Sequence, residues 1–254
     1  TGMPVEASQL SASWQNFGPT LEAHDIRAEL KDGGEFSVKR VTLALDVWQS
    51  LLHMRWQFRD LTFWQLRFRT NTSITSGGGN DSLEASHISD LFLRQFDHFD
   101  LRDSEVSFLT PSGQRAELAI PQLTWLNDPR RHRAEGLVSL SSLTGQHGVM
   151  QVRMDLRDDE GLLSNGRVWL QADDIDLKPW LGKWMQDNIA LETAQFSLEG
   201  WMTIDKGDVT GGDVWLKQGG ASWLGEKETH TLSVDNLTAH ITRENPGWQF
   251  SIPD

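Results

Sequence analysis

The chain has 254 residues, 38% of them hydrophobic, with a formal net charge of −13, twelve tryptophans, no tyrosine and no cysteine. So acidic a chain repels phosphate backbones and anionic surfaces, which excludes nucleic acid as a partner and leaves any lipid contact to apolar surface. The lack of cysteine excludes disulfides, thiol catalysis and cysteine metal sites.

No stretch reaches the roughly 18 to 20 apolar residues needed to span a bilayer, and no signal peptide is visible. The chain starts at Thr1 and stops at Ile252-Pro253-Asp254 within a strand pattern, so it reads as a fragment of a longer protein.

Alternation of apolar and polar residues, the mark of strands with one buried face, dominates the sequence. In most strands it slips by one residue near the middle. Leu21 and Ala23 hold one phase before Ile26, Ala28 and Leu30 hold the other; Phe36 and Val38 give way to Val41, Leu43 and Leu45. Asp46 to Met54 then reads as a short helix, capped by its aspartate, with Val47, Leu51 and Met54 on one side and packed over a sheet edge or groove mouth. The alternation resumes as Trp56 and Phe58, slipping to Leu61 and Phe63. Asn71 to Ser82, with Gly77, Gly78 and Gly79, reads as a flexible loop. Ser86 to Phe96 places Ile88, Leu91, Phe92 and Gln95 at helical spacing.

Strands return as Phe99 and Leu101 then Val106 and Phe108, as Leu118 and Ile120 then Leu123 and Trp125, and as Val168, Leu170 and Ala172 then Ile175 and Leu177. Lys178 to Asp187 groups Trp180, Leu181, Trp184 and Met185, after a proline suited to a first turn. It reads as a helix packed on the sheet, with an interfacial membrane contact as the sharper alternative. The last slip runs from Leu232 and Val234 to Leu237, Ala239 and Ile241.

A one-residue slip would turn half of each strand to the wrong face unless a bulge absorbs it. Polar pairs stand at the slips: His24-Asp25, Lys39-Arg40, Arg59-Asp60, Asp173-Asp174 and Asp235-Asn236. Strands that bulge at one level bend a sheet along that line. The expected fold is therefore mainly β: a long, strongly curved antiparallel sheet of bulged strands with an apolar concave face and a few short helices. A β-sandwich with bulged strands is the competing reading. Turns at Lys31–Gly34, Pro111–Gly113, Asp158–Gly161 and Asn245–Gly247 favour meanders over parallel crossovers.

Motifs for chemistry are sparse. The eight histidines form no metal-ligand pair, so no metal is expected. Gly77 to Asp81 lacks the tandem copies of a calcium repeat. Asp173, Asp174 and Asp176 read as a solvated strand edge. No nucleophile elbow, phosphate loop or dinucleotide fingerprint occurs. The basic run Arg130, Arg131, His132 and Arg133 follows Asp128-Pro129 and reads as a solvated turn, with a lipid headgroup contact as the minority view.

The opening Thr1-Gly2-Met3-Pro4-Val5-Glu6, then Leu10 to Trp14, Phe17 to Glu22 and Asp25-Ile26, resembles the segment that follows the inner-membrane anchor in AsmA-like envelope proteins. The likeness continues through Val47 to Leu52, Asp60 to Phe63, Trp180 and the remainder. It implies a repeating β-groove, as in bridge-like lipid transfer proteins. It further implies anchorage in the inner membrane by an N-terminal helix missing here, reach across the periplasm toward the outer membrane, and phospholipid as the ligand. An inner-membrane protein partner is left unspecified, and neither cofactor nor catalytic residue is implied.

On that reading residues 1–254 are part of one elongated β-groove domain. A first β unit with a short helix covers 1–70, a loop covers 71–82, and the groove continues over 83–254 with helices near 86–96 and 178–187. Val41, Leu43, Phe58, Leu61, Phe63, Leu118, Ile120, Leu123, Leu170, Ile175, Leu232 and Leu237 are the expected groove lining, each with ordinary core as its alternative. Trp180, Leu181 and Trp184 are the candidate membrane-facing residues. An envelope scaffold that pairs by its strand edges, or a β-sandwich that binds or cleaves carbohydrate, are the competing functions.

Overall fold

The computed structural model describes residues 5–15, 18–29, 33–54, 56–73, 91–109, 115–142, 145–178, 190–244 and 247–253. The protein is mainly β and divides into two compact units, Thr1–Val138 and Ser139–Asp254.

The first unit contains β1 (Val5–Glu6), β2 (Gln9–Gln15), β3 (Gly18–Glu29), β4 (Glu35–Leu45), the helix α1 (Val47–His53), β5 (Phe58–Ser73), a π-helical turn (Leu91–Gln95), β6 (His98–Leu109) and β7 (Arg115–Asp128). The boundary falls within β8 (Arg131–Ser142). The strands pair in the order β1-β3-β4-β5-β6-β7-β8, with β2 also on β3. The second unit contains β9 (Gly145–Arg157), β10 (Asn165–Asp176), β11 (Ala190–Asp205), β12 (Asp208–Leu224), β13 (Thr229–Glu244) and β14 (Gly247–Ser251), paired in chain order and antiparallel.

The slips read in the sequence are built into the backbone. Asp25, Asp174 and Asn236 each take a left-handed conformation, with φ of 51°, 51° and 60°. Aspartate and asparagine enter that region more readily than other non-glycine residues. Gln65 and Asp103 do the same on β5 and β6, at 52° and 47°. In the first unit the slips line up. His24 faces Arg40, Arg40 faces Trp64, Trp64 faces Arg102 and Arg102 faces Gln122, while the next residue inward on each strand is skipped. Each strand carries one extra residue at that level, so registers stay constant and the whole sheet creases there. Pro121 sits on this line in β7, where no ladder amide is required. A second irregularity, between Ala44 and Leu45, leaves Arg59 unmatched on β5.

Serines repair the crease. Leu66 donates its amide to Ser104 Oγ at 3.2 Å, Asp174 donates to Ser197 Oγ at 2.9 Å, and Ser8 Oγ reaches Asp25 at 2.9 Å. The backbone amides of Leu66 and Asp174 at the slip thus find partners.

Three features depart from the sequence reading. β5 pairs with β6 in parallel, so that β6 begins beside the end from which β5 started. Within the stretch expected to be helical, Leu91–Gln95 forms a π-helical turn; residues 86–90 lie outside the described residues. The helix α1 buries none of its residues, and on the side expected to be covered Leu51 and Met54 are exposed. Residues 74–82 of the expected loop and 179–187 of the expected last helix, with Trp180, Leu181 and Trp184, also lie outside the described residues.

Candidate functional site

Directly opposed residues on neighbouring strands share a face, so the registers assign every side chain. In the first unit, one face carries apolar rows running across the strands. Ala23, Val41, Phe63, Leu101 and Leu123 form one row from β3 to β7. Ala28, Phe36, Phe68, Val106 and Leu118 form another beyond the crease. Leu21, Leu43 and Leu61 line up between β3 and β5, and Phe99 faces Trp125. The opposite face at the neighbouring levels is polar: Glu22, Thr42, Thr62, Asp100 and Thr124 form one row. Thr62 and Thr124 donate to Asp60 and Asp100 at 2.7 and 2.6 Å, and the Arg40 guanidinium lies 4.7 Å from the Trp64 ring.

The apolar face of the first unit is filled from within. Phe92, in the π-helical turn, stands 5.0 Å from Phe63, 5.1 Å from Phe99 and 6.5 Å from Phe36. Phe96 stands 6.1 Å from both Phe58 and Phe63. Asn127 holds this segment down. Its Nδ2 donates to the carbonyls of Phe92 and Phe96 at 2.6 and 2.8 Å. Its Oδ1 accepts from Trp125 Nε1 at 2.6 Å and from His132 Nδ1 at 2.6 Å, which fixes the Nδ1-protonated tautomer. His132 is fully buried. The adjoining Asp97–His98 pair lies at 3.2 Å. The hydrogen bond to Asp97 raises the His98 pKa against the opposing effect of burial. Burial pushes Asp97 upward, but His98 outweighs it and leaves the carboxyl lowered.

The second unit repeats the pattern with smaller residues and no such aromatic cap among its described residues. Met150, Ala172, Leu198, Leu216 and Leu237 form one row, and Val152, Leu170, Gly200, Val214 and Ala239 the next. Ile175, Phe196, Gly219 and Val234 follow, then Ala194, Ala221 and Leu232. Gly219 has φ of +156°, and a Cβ there would come within 2.3 Å of a neighbouring backbone oxygen, so only glycine fits. The reverse face holds Arg153, Trp169, Trp201, Glu199 and Trp215. Trp169 donates to Glu199 at 3.0 Å and Lys217 pairs with the same carboxylate at 3.3 Å.

The twelve expected lining residues thus separate by burial. Leu61, Phe63, Ile120 and Ile175 are buried; Val41, Leu43, Phe58, Leu118, Leu123, Leu170 and Leu237 are half-buried. Leu232 is 51% exposed. Val41 opposes Phe63 and Leu43 opposes Leu61. Leu118 and Leu123 fall in the rows just given, and Ile120 opposes Ser104. In the second unit Leu170 and Leu237 share the rows, and Ile175 packs against Gly148, whose Cβ would meet it at 3.2 Å. Phe36, Phe99, Leu101 and the capping Phe92 and Phe96 were not among the expected residues. The i, i+4 spacing of Phe92 and Phe96 was the one sequence signal for the cap.

Among the described residues no group of three or more histidines, aspartates or glutamates could hold a metal, and no helix is long and apolar enough to cross a membrane.

Long bulged strands with one apolar and one polar face place the chain in the class of β-groove proteins. Residues 1–254 match the family model described as YhdP protein. The chain is also 98% identical, over all 254 residues, to the intermembrane phospholipid transporter YhdP of Escherichia coli (strain K12). The chain belongs to the YhdP family. It spans 20% of the length of that curated relative.

Proposed function

We propose that this chain is a segment of a lipid-transfer protein that holds phospholipid acyl chains on its apolar faces. The observation that carries the reading is the set of apolar rows, unbroken across five neighbouring strands in each unit and backed by a polar face. The near-identity to part of a protein named as an intermembrane phospholipid transporter supports it. Rows repeat at the strand spacing of about 4.8 Å, so a chain lying across the strands meets similar surface at each step. Burial is worth about 25 cal/mol per Å² of apolar surface. Nearly equal wells let a lipid slide while its headgroup stays in water. No bond chemistry is needed, so the chain is not an enzyme and uses no cofactor. In this reading it lies in the periplasm, within a protein anchored in the inner membrane, and lipid passes toward the outer membrane. Val41, Leu43, Leu118, Leu123, Leu170, Leu232 and Leu237 carry the contact, as the lining residues that are not fully buried.

Native mass spectrometry of the purified chain, with lipid extraction in parallel, tests this. Phospholipid that co-purifies, and is lost from a folded Leu232→Asp variant, supports it. A clean unliganded mass after incubation with liposomes contradicts it and favours a scaffold.

A further inference from the structure

One apolar row of the first unit is continuous in the sheet but occupied at its middle. Val41, Phe63, Leu101 and Leu123 stand in register on β4 to β7. Val41 and Leu123 are half-buried, whereas Phe63 and Leu101 between them are buried. What covers Phe63 belongs to the chain itself: the Phe92 ring at 5.0 Å and the Phe96 ring at 6.1 Å. The same two rings lie 5.1 and 6.5 Å from Phe99, and Phe96 lies 6.1 Å from Phe58. An acyl chain laid along the row from Val41 meets these rings before it reaches Leu123.

The covering segment is attached differently from the strands beside it. β6 pairs with β7 from His98 to Leu109, but Leu91–Gln95 is a π-helical turn, a rare element that recurs at functional sites. It closes on Phe96 N to Leu91 O at 3.2 Å, and Leu91, Arg94 and Gln95 are exposed. Asn127 fastens it to the sheet through the two bonds from Nδ2 to the carbonyls of Phe92 and Phe96. Both rings are only half-buried. About four buried methylenes match the apolar burial of two such rings, so a longer acyl chain on the same surface can displace them. A lipid that binds only the uncovered surface shifts the chain toward that form.

We propose that the Phe92–Phe96 turn is a displaceable plug. It occupies the apolar surface of the first unit in the absence of lipid, and phospholipid acyl chains lift it from Phe58, Phe63 and Phe99. Asn127 is the positioning residue that sets how firmly it closes. The inference rests on the lipid-transfer reading and adds that the chain gates its own surface.

Hydrogen exchange of the full 254-residue chain, with and without dioctanoyl phosphatidylglycerol below its micellar concentration, reads the plug directly. At saturating lipid the amides of residues 91–97 should exchange about tenfold faster, with the β6–β7 ladder unchanged. Asn127→Asp keeps the acceptor for Trp125 and His132 but withdraws the donor from the two carbonyls. It should speed the same amides without lipid and tighten lipid binding, read by native mass spectrometry, about threefold or more, because less of the chain is held closed. Phe92→Ala with Phe96→Ala should tighten it further. A merely structural Asn127 would lower stability without raising lipid affinity. Lipid that binds while residues 91–97 exchange no faster overturns the proposal and leaves the lipid-transfer reading standing. Unaltered lipid affinity in an Asn127→Asp chain whose amides do speed up has the same meaning. No lipid bound by any form overturns both. The exchange measurement on the unaltered chain decides even where the double variant fails to fold.

Discussion

The two units use the same strand pattern to different ends. In the first, the apolar face is closed by its own chain: Phe92 and Phe96 lie on Phe58, Phe63 and Phe99, and Leu61 is 1% exposed. In the second, small residues alternate with large ones along the rows. Gly200, Gly212, Gly219 and Ala221 stand among half-buried Leu170, Leu216 and Leu237, while Ala172, Ile175, Ala194 and Phe196 on the same rows are buried. A bulged sheet with an apolar face therefore becomes either core or trough. In the first unit the segment that carries Phe92 and Phe96 comes back over it. In the proposed function acyl chains meet Leu170, Leu232 and Leu237 in the second unit, and in the first they meet Val41, Leu43, Leu118 and Leu123, outside the residues that the phenylalanine cap buries.

Substitutions can sharpen this contrast. The largest effect is expected within the second unit itself. Ile175 is fully buried, so Ile175→Ala should cost about 3 to 4 kcal/mol in urea unfolding. Leu232→Ala, at a half-exposed site, should cost less than about 1 kcal/mol. Equal costs would mean that the second face is as closed as the first. Next, Asn127→Ala strips four hydrogen bonds from the cap and leaves buried partners unpaired, which should cost about 2 to 3 kcal/mol. Hydrogen exchange at residues 91–96 should rise with it. Phe92→Ala with Phe96→Ala should raise the phospholipid retained by the first unit, read by lipid extraction, if the cap competes with acyl chains. No change in lipid content would show that the cap is a core element alone.

The smallest effect is a pH dependence at the foot of the cap. His98 has a raised pKa, so its contribution is fully present below its ordinary value of 6.5 and is lost as pH rises through the raised one. Asp97 has a lowered pKa, so its contribution is present above 3.8 and is lost as pH falls through the lowered one. Thermal unfolding of the first unit should be most resistant between those two values. His98→Gln should flatten its alkaline side.

Much of this was legible in the sequence because period-2 alternation and its slips are local signals. Asp25, Asp174 and Asn236 stand at slips that the apolar phases of Leu21 to Ala28, Val168 to Leu177 and Leu232 to Ile241 announce. The slip at Trp64-Gln65 was hidden by the one at Arg59-Asp60, since two irregularities in one strand restore the phase. The parallel pairing of β5 with β6 was not legible, because it depends on where a long connection delivers the chain. Burial was not legible either: Phe63 and Leu170 obey the same alternation, yet Phe63 lies under Phe92 and Phe96 and is buried while Leu170 is half-buried. The outward α1 was missed because an apolar stripe on a short helix gives no sign of whether anything covers it.

The most direct test of the account places a photocrosslinking phenylalanine analogue, one position at a time, along the second unit in cells that make the full-length protein. Positions 170, 232 and 237 lie on the apolar face, and 201 and 215 on the reverse face. The account predicts phospholipid adducts at 170, 232 and 237 and none at 201 and 215. Adducts of equal yield on both faces, or none on the apolar face, would contradict it.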